Sequence, residues 1–99
     1  MKDYLFLMHD DAPEPAADFP YDWPGYLARL RAAGAFEGGS SLGDGVCVSK
    51  SGATVPITRR LVGYLRIRAA SLEAARALLP GNPTYEAGGT IEIRELPLS

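Results

Sequence analysis

Cysteine is all but missing from this 99-residue chain. Cys47 stands alone, which excludes an internal disulfide and leaves no thiolate cluster for zinc. Histidine is as scarce. With His9 alone and no ligand-spaced carboxylates on a helix, nothing in the pattern asks for a metal or any other cofactor. A strong charge of either sign is lacking too: a net charge of −2 gives no electrostatic case for nucleic acid or an anionic membrane surface. No apolar run approaches the length of a membrane span. The five apolar residues from Tyr4 to Met8 are too few for a signal-peptide core, so a cytoplasmic location is the default expectation. Internal repeats and low-complexity tracts are absent as well. What is present is a hydrophobic fraction of 46%, ordinary for a folded protein, in a chain long enough for a single domain over residues 1–99.

The clearest local signals run from Leu61 to Leu96. Val62, Tyr64, Arg66 and Arg68 alternate with Leu61, Gly63, Leu65 and Ile67, the period of a half-buried strand. Ser71 follows where the period changes and suits an N-cap, with Glu73 near the positive helix end. Leu72, Ala75, Leu78 and Leu79 then share one helical face, and Pro80-Gly81 stops the helix. Thr90 to Arg94 alternates again with Ile91 and Ile93 inward, a second strand.

The first half repeats this order. Tyr4 to Met8 is apolar at every position, which fits a strand buried on both faces and therefore central. Ala12 to Phe19, with Pro13 and Pro15, reads as a long loop able to close over the strand end. Asp22 caps a helix starting at Trp23, where Pro24 is tolerated in the first turn, and Gly34 ends it. Trp23, Tyr26 or Leu27, Leu30 and Ala33 recur at helical spacing. Phe36 to Leu42 reads as an irregular strand. Beyond it, Val46-Cys47-Val48 and Ala53-Thr54-Val55, bounded by Asp44-Gly45 and Ser51-Gly52, read as a small hairpin.

The expected fold is α+β: a ferredoxin-like βαββαβ arrangement with an extra β-hairpin, helices on one face of a mostly antiparallel sheet. The other face carries Tyr64, Arg66 and Arg68 with Thr90, Glu92 and Arg94, and a partly apolar open face finds a partner. A homodimer through that face is the expectation.

The order and spacing of several short pieces resemble the YCII-related family. They are Y-L-F-L-M followed by acidic residues, W-x-x-Y-L-x-x-L-x-x-A-G from Trp23 to Gly34, and G-G-S-S-L from Gly38. V-G-Y-L-R-I before S-L-E-A-A-R-A-L follows, then N-P-x-x-x-A-G-G-T-I-E-I-R from Asn82 to Arg94. The resemblance covers nearly the whole chain and implies a dimeric α+β barrel made by pairing two sheets. It also shows a departure. Ile57-Thr58-Arg59-Arg60 stands where many members carry an Asp-Gly-Pro-Phe loop, so this branch lacks that signature. Members proposed to be enzymes use a histidine on the first helix and an aspartate in an Asp-Pro motif after the second helix. Tyr26 and Asn82 occupy those positions here. Asparagine takes no proton at neutral pH, and an unperturbed tyrosine has its pKa near 10.

Together these readings place a ligand site at one edge of the domain, formed by His9, Trp23, Tyr26, Asn82 and Tyr85. His9 and Tyr26 are the candidate catalytic groups, with Asp10 or Asp11 orienting His9. The plainer account of His9 is a polar residue where a central strand surfaces, and that of Tyr26 is a core aromatic. The leading function is a homodimeric small-molecule-binding or accessory protein. The alternatives are an acid–base enzyme (lyase, isomerase or hydrolase) acting on a small polar organic substrate, and a protein-interaction module.

Overall fold

The fold is taken from a computed structural model, which describes residues 1–52 and 54–97. Its elements are β1 (Lys2–His9), α1 (Trp23–Ala32), β2 (Phe36–Ser41), β3 (Leu61–Ala69), α2 (Leu72–Arg76), α3 (Pro83–Glu86) and β4 (Ile91–Leu96). The strands form one sheet in the order β2-β3-β1-β4, with every neighbouring pair antiparallel. β1 is an inner strand, as its unbroken apolar run requires. Each crossover, β1-α1-β2 and β3-α2-α3-β4, skips one strand. This is the ferredoxin-like topology.

Local chemistry explains where the elements begin and end. The Asp22 carboxylate accepts the Gly25 N–H at 3.0 Å, capping α1. At the other end Gly34 takes a φ of +70°, Ala35 N–H returns to Leu30 O and Gly34 N–H to Arg31 O, a Schellman closure. Ser71 Oγ accepts the Ala74 N–H at 3.1 Å to start α2. That helix is shorter than its apolar spacing predicts. After Arg76 the chain tightens, with Leu78 N–H on Ala75 O and Leu79 N–H on Arg76 O. Leu72 is left exposed, while Ala75 is buried and Leu78 and Leu79 pack against the core.

Cross-strand partners lie on the same face of a sheet. Phe6 pairs with Leu65 and Ile93, and Tyr4 with Ile67, so these residues share the helix-covered face. There Tyr4, Phe6, Met8, Leu65, Ile67 and Ala69 meet Tyr26, Leu30 and Ala75 in a single core. Among the described residues no helix is laid over the opposite face, which carries Leu5, Leu7, Val62, Tyr64, Arg66, Arg68, Glu92 and Arg94.

Two expectations change. Asn82-Pro83 begins a short helix of its own, α3, rather than a plain turn: Asn82 Oδ1 accepts the Tyr85 N–H at 3.1 Å and proline fills the first turn. The hairpin expected in the β2–β3 connection does not appear among the described residues, since Val46–Val48 and Thr54–Val55 carry no strand. Ala53, in its second limb, lies outside the described residues. Among the described residues no strand of the sheet pairs with Val46–Val48 or Thr54–Val55.

Candidate functional site

Tyr26 and Asn82 come together from α1 and the start of α3, but they meet inside the protein. Tyr26 is 1% exposed and its hydroxyl donates to Leu78 O at 2.8 Å. Asn82 is fully buried. Burial pushes the Tyr26 pKa up, opposed by the Asn82 side chain and, more weakly, by the Arg29 guanidinium. The Asn82 amide nitrogen has no partner of full hydrogen-bond geometry, yet it stands close enough to stabilise the phenolate form. Tyr26 sits on the core side of α1, so its hydroxyl serves a backbone carbonyl and is sealed from any ligand. The helical spacing admitted Tyr26 or Leu27 at that position, and both pack inward.

His9 is also buried, at 6% exposure, with Nε2 3.1 Å from Glu92 Oε1. The expected orienter does not serve it: Asp11 instead accepts the Thr90 N–H at 2.8 Å and the Thr90 hydroxyl at 2.7 Å, which hold its pKa below the usual carboxylate range. Asp10 is exposed. Glu92 is held low in turn by Arg94 and then by His9. The reason is the register. Glu92 of β4 pairs with Leu7 of β1, and His9, two residues further along the same face of β1, reaches it diagonally. Tyr85 lies on the outer side of α3, exposed.

The concave surface lies elsewhere. A cleft of about 340 Å³ opens between α1 and the β2–β3 half of the sheet. Trp23 and Leu27 of α1 form one wall, Phe36, Leu65 and Met8 another, and Thr84 of α3 closes an end. Its floor is bare backbone, because Gly39, Ser41 and Gly63 supply little or no side chain. A Cβ at Gly63 would sit 3.2 Å from Met8 Cε, within the space now open. Of the five predicted site residues, Trp23 alone lines this cleft; His9 and Tyr85 adjoin its Met8 and Thr84 in sequence. No residue of the 12–19 loop lines it. Among the described residues its lining carries no charged side chain, and Ser40 and Tyr64, a cross-strand pair, carry their side chains on the opposite face of the sheet. The sequence did contain a signal: the glycines at 39 and 63 interrupt two strands on the helix-covered face, where a floor would otherwise be filled.

Among the described residues no group of three or more acidic, histidine or cysteine side chains could hold a metal ion. No helix there is long and apolar enough to cross a membrane.

No family model matches the chain, and no curated protein matches it in sequence. Among solved structures it is similar to the 5-chloro-2-hydroxyhydroquinone dehydrochlorinase of Burkholderia phenoliruptrix, determined in complex with 2,5-dihydroxybenzoquinone. Identity is 17% and the TM-score 0.57, over 100% of this chain and 96% of that one. At that identity the likeness is one of fold. It extends over the whole four-stranded α+β domain.

Proposed function

We propose that this protein binds a small, neutral, largely apolar ring compound in the cleft beside Trp23, as a YCII-like homodimer. The observation that carries the reading is a preformed cleft of about 340 Å³ with aromatic and aliphatic walls and, among the described residues on the α1 side of the sheet, hydroxyls only at Ser41 and Thr84. Apolar walls exclude water while a few polar groups set orientation. The absence of a charged group among the described lining disfavours carboxylates and phosphates, whose charge would lose water without gaining a partner. The similar structure was solved with a small quinone, which supports a ligand of that size and shape.

A homodimer through the open sheet face remains part of the proposal. Leu5, Leu7, Val62 and Tyr64 lie there without a covering layer, and the exposed cations and anions of the same face stand ready to pair across an interface. A cytoplasmic, cofactor-free protein is the setting in which we place it.

The second reading is an acid–base enzyme, supported by the neighbour's dehydrochlorinase activity. His9 is then the stronger proton-handling candidate in this chain, because it has a carboxylate partner, whereas the Tyr26 hydroxyl is engaged by Leu78. Docking of another protein on the open face is the third.

Trp23 is the only tryptophan, so its fluorescence reports on the cleft directly. Titration with hydroquinone and phenol should give a saturable change, and benzoate a much weaker one. No saturable response to any neutral ring compound would overturn the binding proposal. Turnover of a small organic substrate that vanishes in His9→Ala would support the enzyme reading, with its chemistry on the open face rather than in this cleft.

A further inference from the structure

The two hydroxyls on the α1 side of the cleft stand at its opposite ends. Ser41, the last residue of β2, pairs with Gly63 of β3, and Gly63 pairs with Met8 of β1. This row of three strands crosses the floor. Thr84 marks the far end of the row. Its carbonyl accepts the Gly89 N–H at 2.9 Å, and a Cβ at Gly89 would lie 3.0 Å from that oxygen and 3.2 Å from His9 O. Thr84 therefore stands beside the end of β1, next to Met8. Two strand spacings, roughly 10 Å, separate it from Ser41.

The fold uses neither hydroxyl. Ser71 caps α2, the Thr90 hydroxyl is held by Asp11, and the Ser40 hydroxyl donates to Ser41 O. Among the described residues the Ser41 and Thr84 side chains have no such partner. The Thr84 methyl is turned toward Gly89, 2.8 Å from where a Cβ there would be, so its hydroxyl takes the other branch. Between the two ends the cleft offers Trp23, Leu27, Leu65, Met8 and the bare backbone of Gly63. A ligand oxygen lying mid-cleft would lose water and meet carbon. One at either end meets a hydroxyl, which both donates and accepts and so suits a phenol or a carbonyl.

The spacing selects among rings. Two hydrogen bonds of about 2.8 Å leave roughly 4–5 Å between the ligand's own oxygens. Oxygens on opposite carbons of a six-membered ring span that gap, whereas oxygens on adjacent carbons crowd one end and leave the other hydroxyl unmet. We propose that Ser41 and Thr84 are the specificity-determining pair of the cleft, and that its ligand is a 1,4-dioxygenated six-membered ring, a hydroquinone or the matching quinone. One oxygen sits on each hydroxyl, with the ring between Trp23 and the floor at Gly63. The inference rests on the ring-binding cleft proposed above and narrows its ligand.

Calorimetric titration tests it with three probes, hydroquinone, catechol and phenol, in degassed buffer. The proteins compared are the wild type, Ser41→Ala and Thr84→Val, each checked by a circular-dichroism melt. Wild type should bind hydroquinone roughly three- to tenfold tighter than phenol or catechol, the worth of one further hydrogen bond. Either substitution should erase that preference. Phenol needs one hydroxyl only and should lose less than about twofold in each variant, which shows the cleft intact. Equal wild-type affinity for the three probes would overturn the pairing and leave the ring-binding cleft standing. So would an undiminished hydroquinone preference in both variants. Binding of none of the three would remove the cleft reading itself.

Discussion

His9 Nε2 lies 3.1 Å from Glu92 Oε1, and Arg94 donates to the other oxygen of that carboxylate at 3.1 Å. One side chain of β4 thus ties a buried imidazole on β1 to an exposed guanidinium. It does so on the open face of the sheet, away from the cleft. The arrangement makes Glu92 a sensor of acid. Folding favours its ionised form, because Arg94 and then His9 lower its pKa. Its contribution is therefore present above the carboxylate's unfolded pKa and lost as pH falls through the lower folded value. Urea titrations across acidic pH should show Glu92→Gln less stable than the wild type near neutrality and converging with it at the acid end. An equal deficit at every pH would separate the effect from ionisation.

Tyr26→Phe removes the hydroxyl that donates to Leu78 O. A buried carbonyl loses its partner, and the Asn82 amide loses its polar neighbour, so the loss should be about 1–2 kcal/mol by denaturant unfolding. Ligand binding followed at Trp23 should stay unchanged, since Tyr26 does not line the cleft. A selective loss of binding would return Tyr26 to the site.

Asn82→Asp keeps an acceptor for the Tyr85 N–H and so keeps the cap. It also places a carboxylate in a fully buried position. Desolvation raises the pKa of such a group in the folded state, and the nearby Arg29 offsets part of the cost. The variant should match the wild type at low pH and fall behind as pH rises through the ordinary carboxylate range, by about 3 kcal/mol near pH 7. Thermal melts over that range check the sign.

Gly63→Ala puts a methyl group into the cleft floor, 3.2 Å from the flexible end of Met8 and 3.3 Å from Ser40 O. Stability should change by no more than about 1 kcal/mol, while affinity for a ring ligand should fall several-fold. Equal affinity by fluorescence titration would move the ligand out of this cleft.

Periodicity carried β1, α1, β3 and β4 because their apolar residues repeat along one element. Asp22, Gly34 and Ser71 marked ends by local chemistry that needs no tertiary contact. The site was less legible. Helical spacing brought Tyr26 inward but could not say that its hydroxyl would be used up by Leu78, on a different element. His9 and Glu92 are joined by strand register, which a single chain pattern does not express. The cleft floor was harder still, for Gly39 and Gly63 contribute by lacking side chains. Asn82-Pro83 is the instructive case: an N-cap residue followed by proline, with Glu86 in the first turn, is a helix start by the same rules that found α1.

β1 lies between β3 and β4, and both of its neighbours come later in the chain. During synthesis the strand leaves the ribosome with neither backbone edge occupied. Leu61 to Ala69 must appear before the first edge can close, and Ile91 to Leu96 before the second. In the interval the apolar run from Tyr4 to Met8 is a free template for pairing with another nascent chain. Placing the most apolar strand ahead of both its neighbours makes the finished sheet secure and leaves the unfinished one open to wrong pairing.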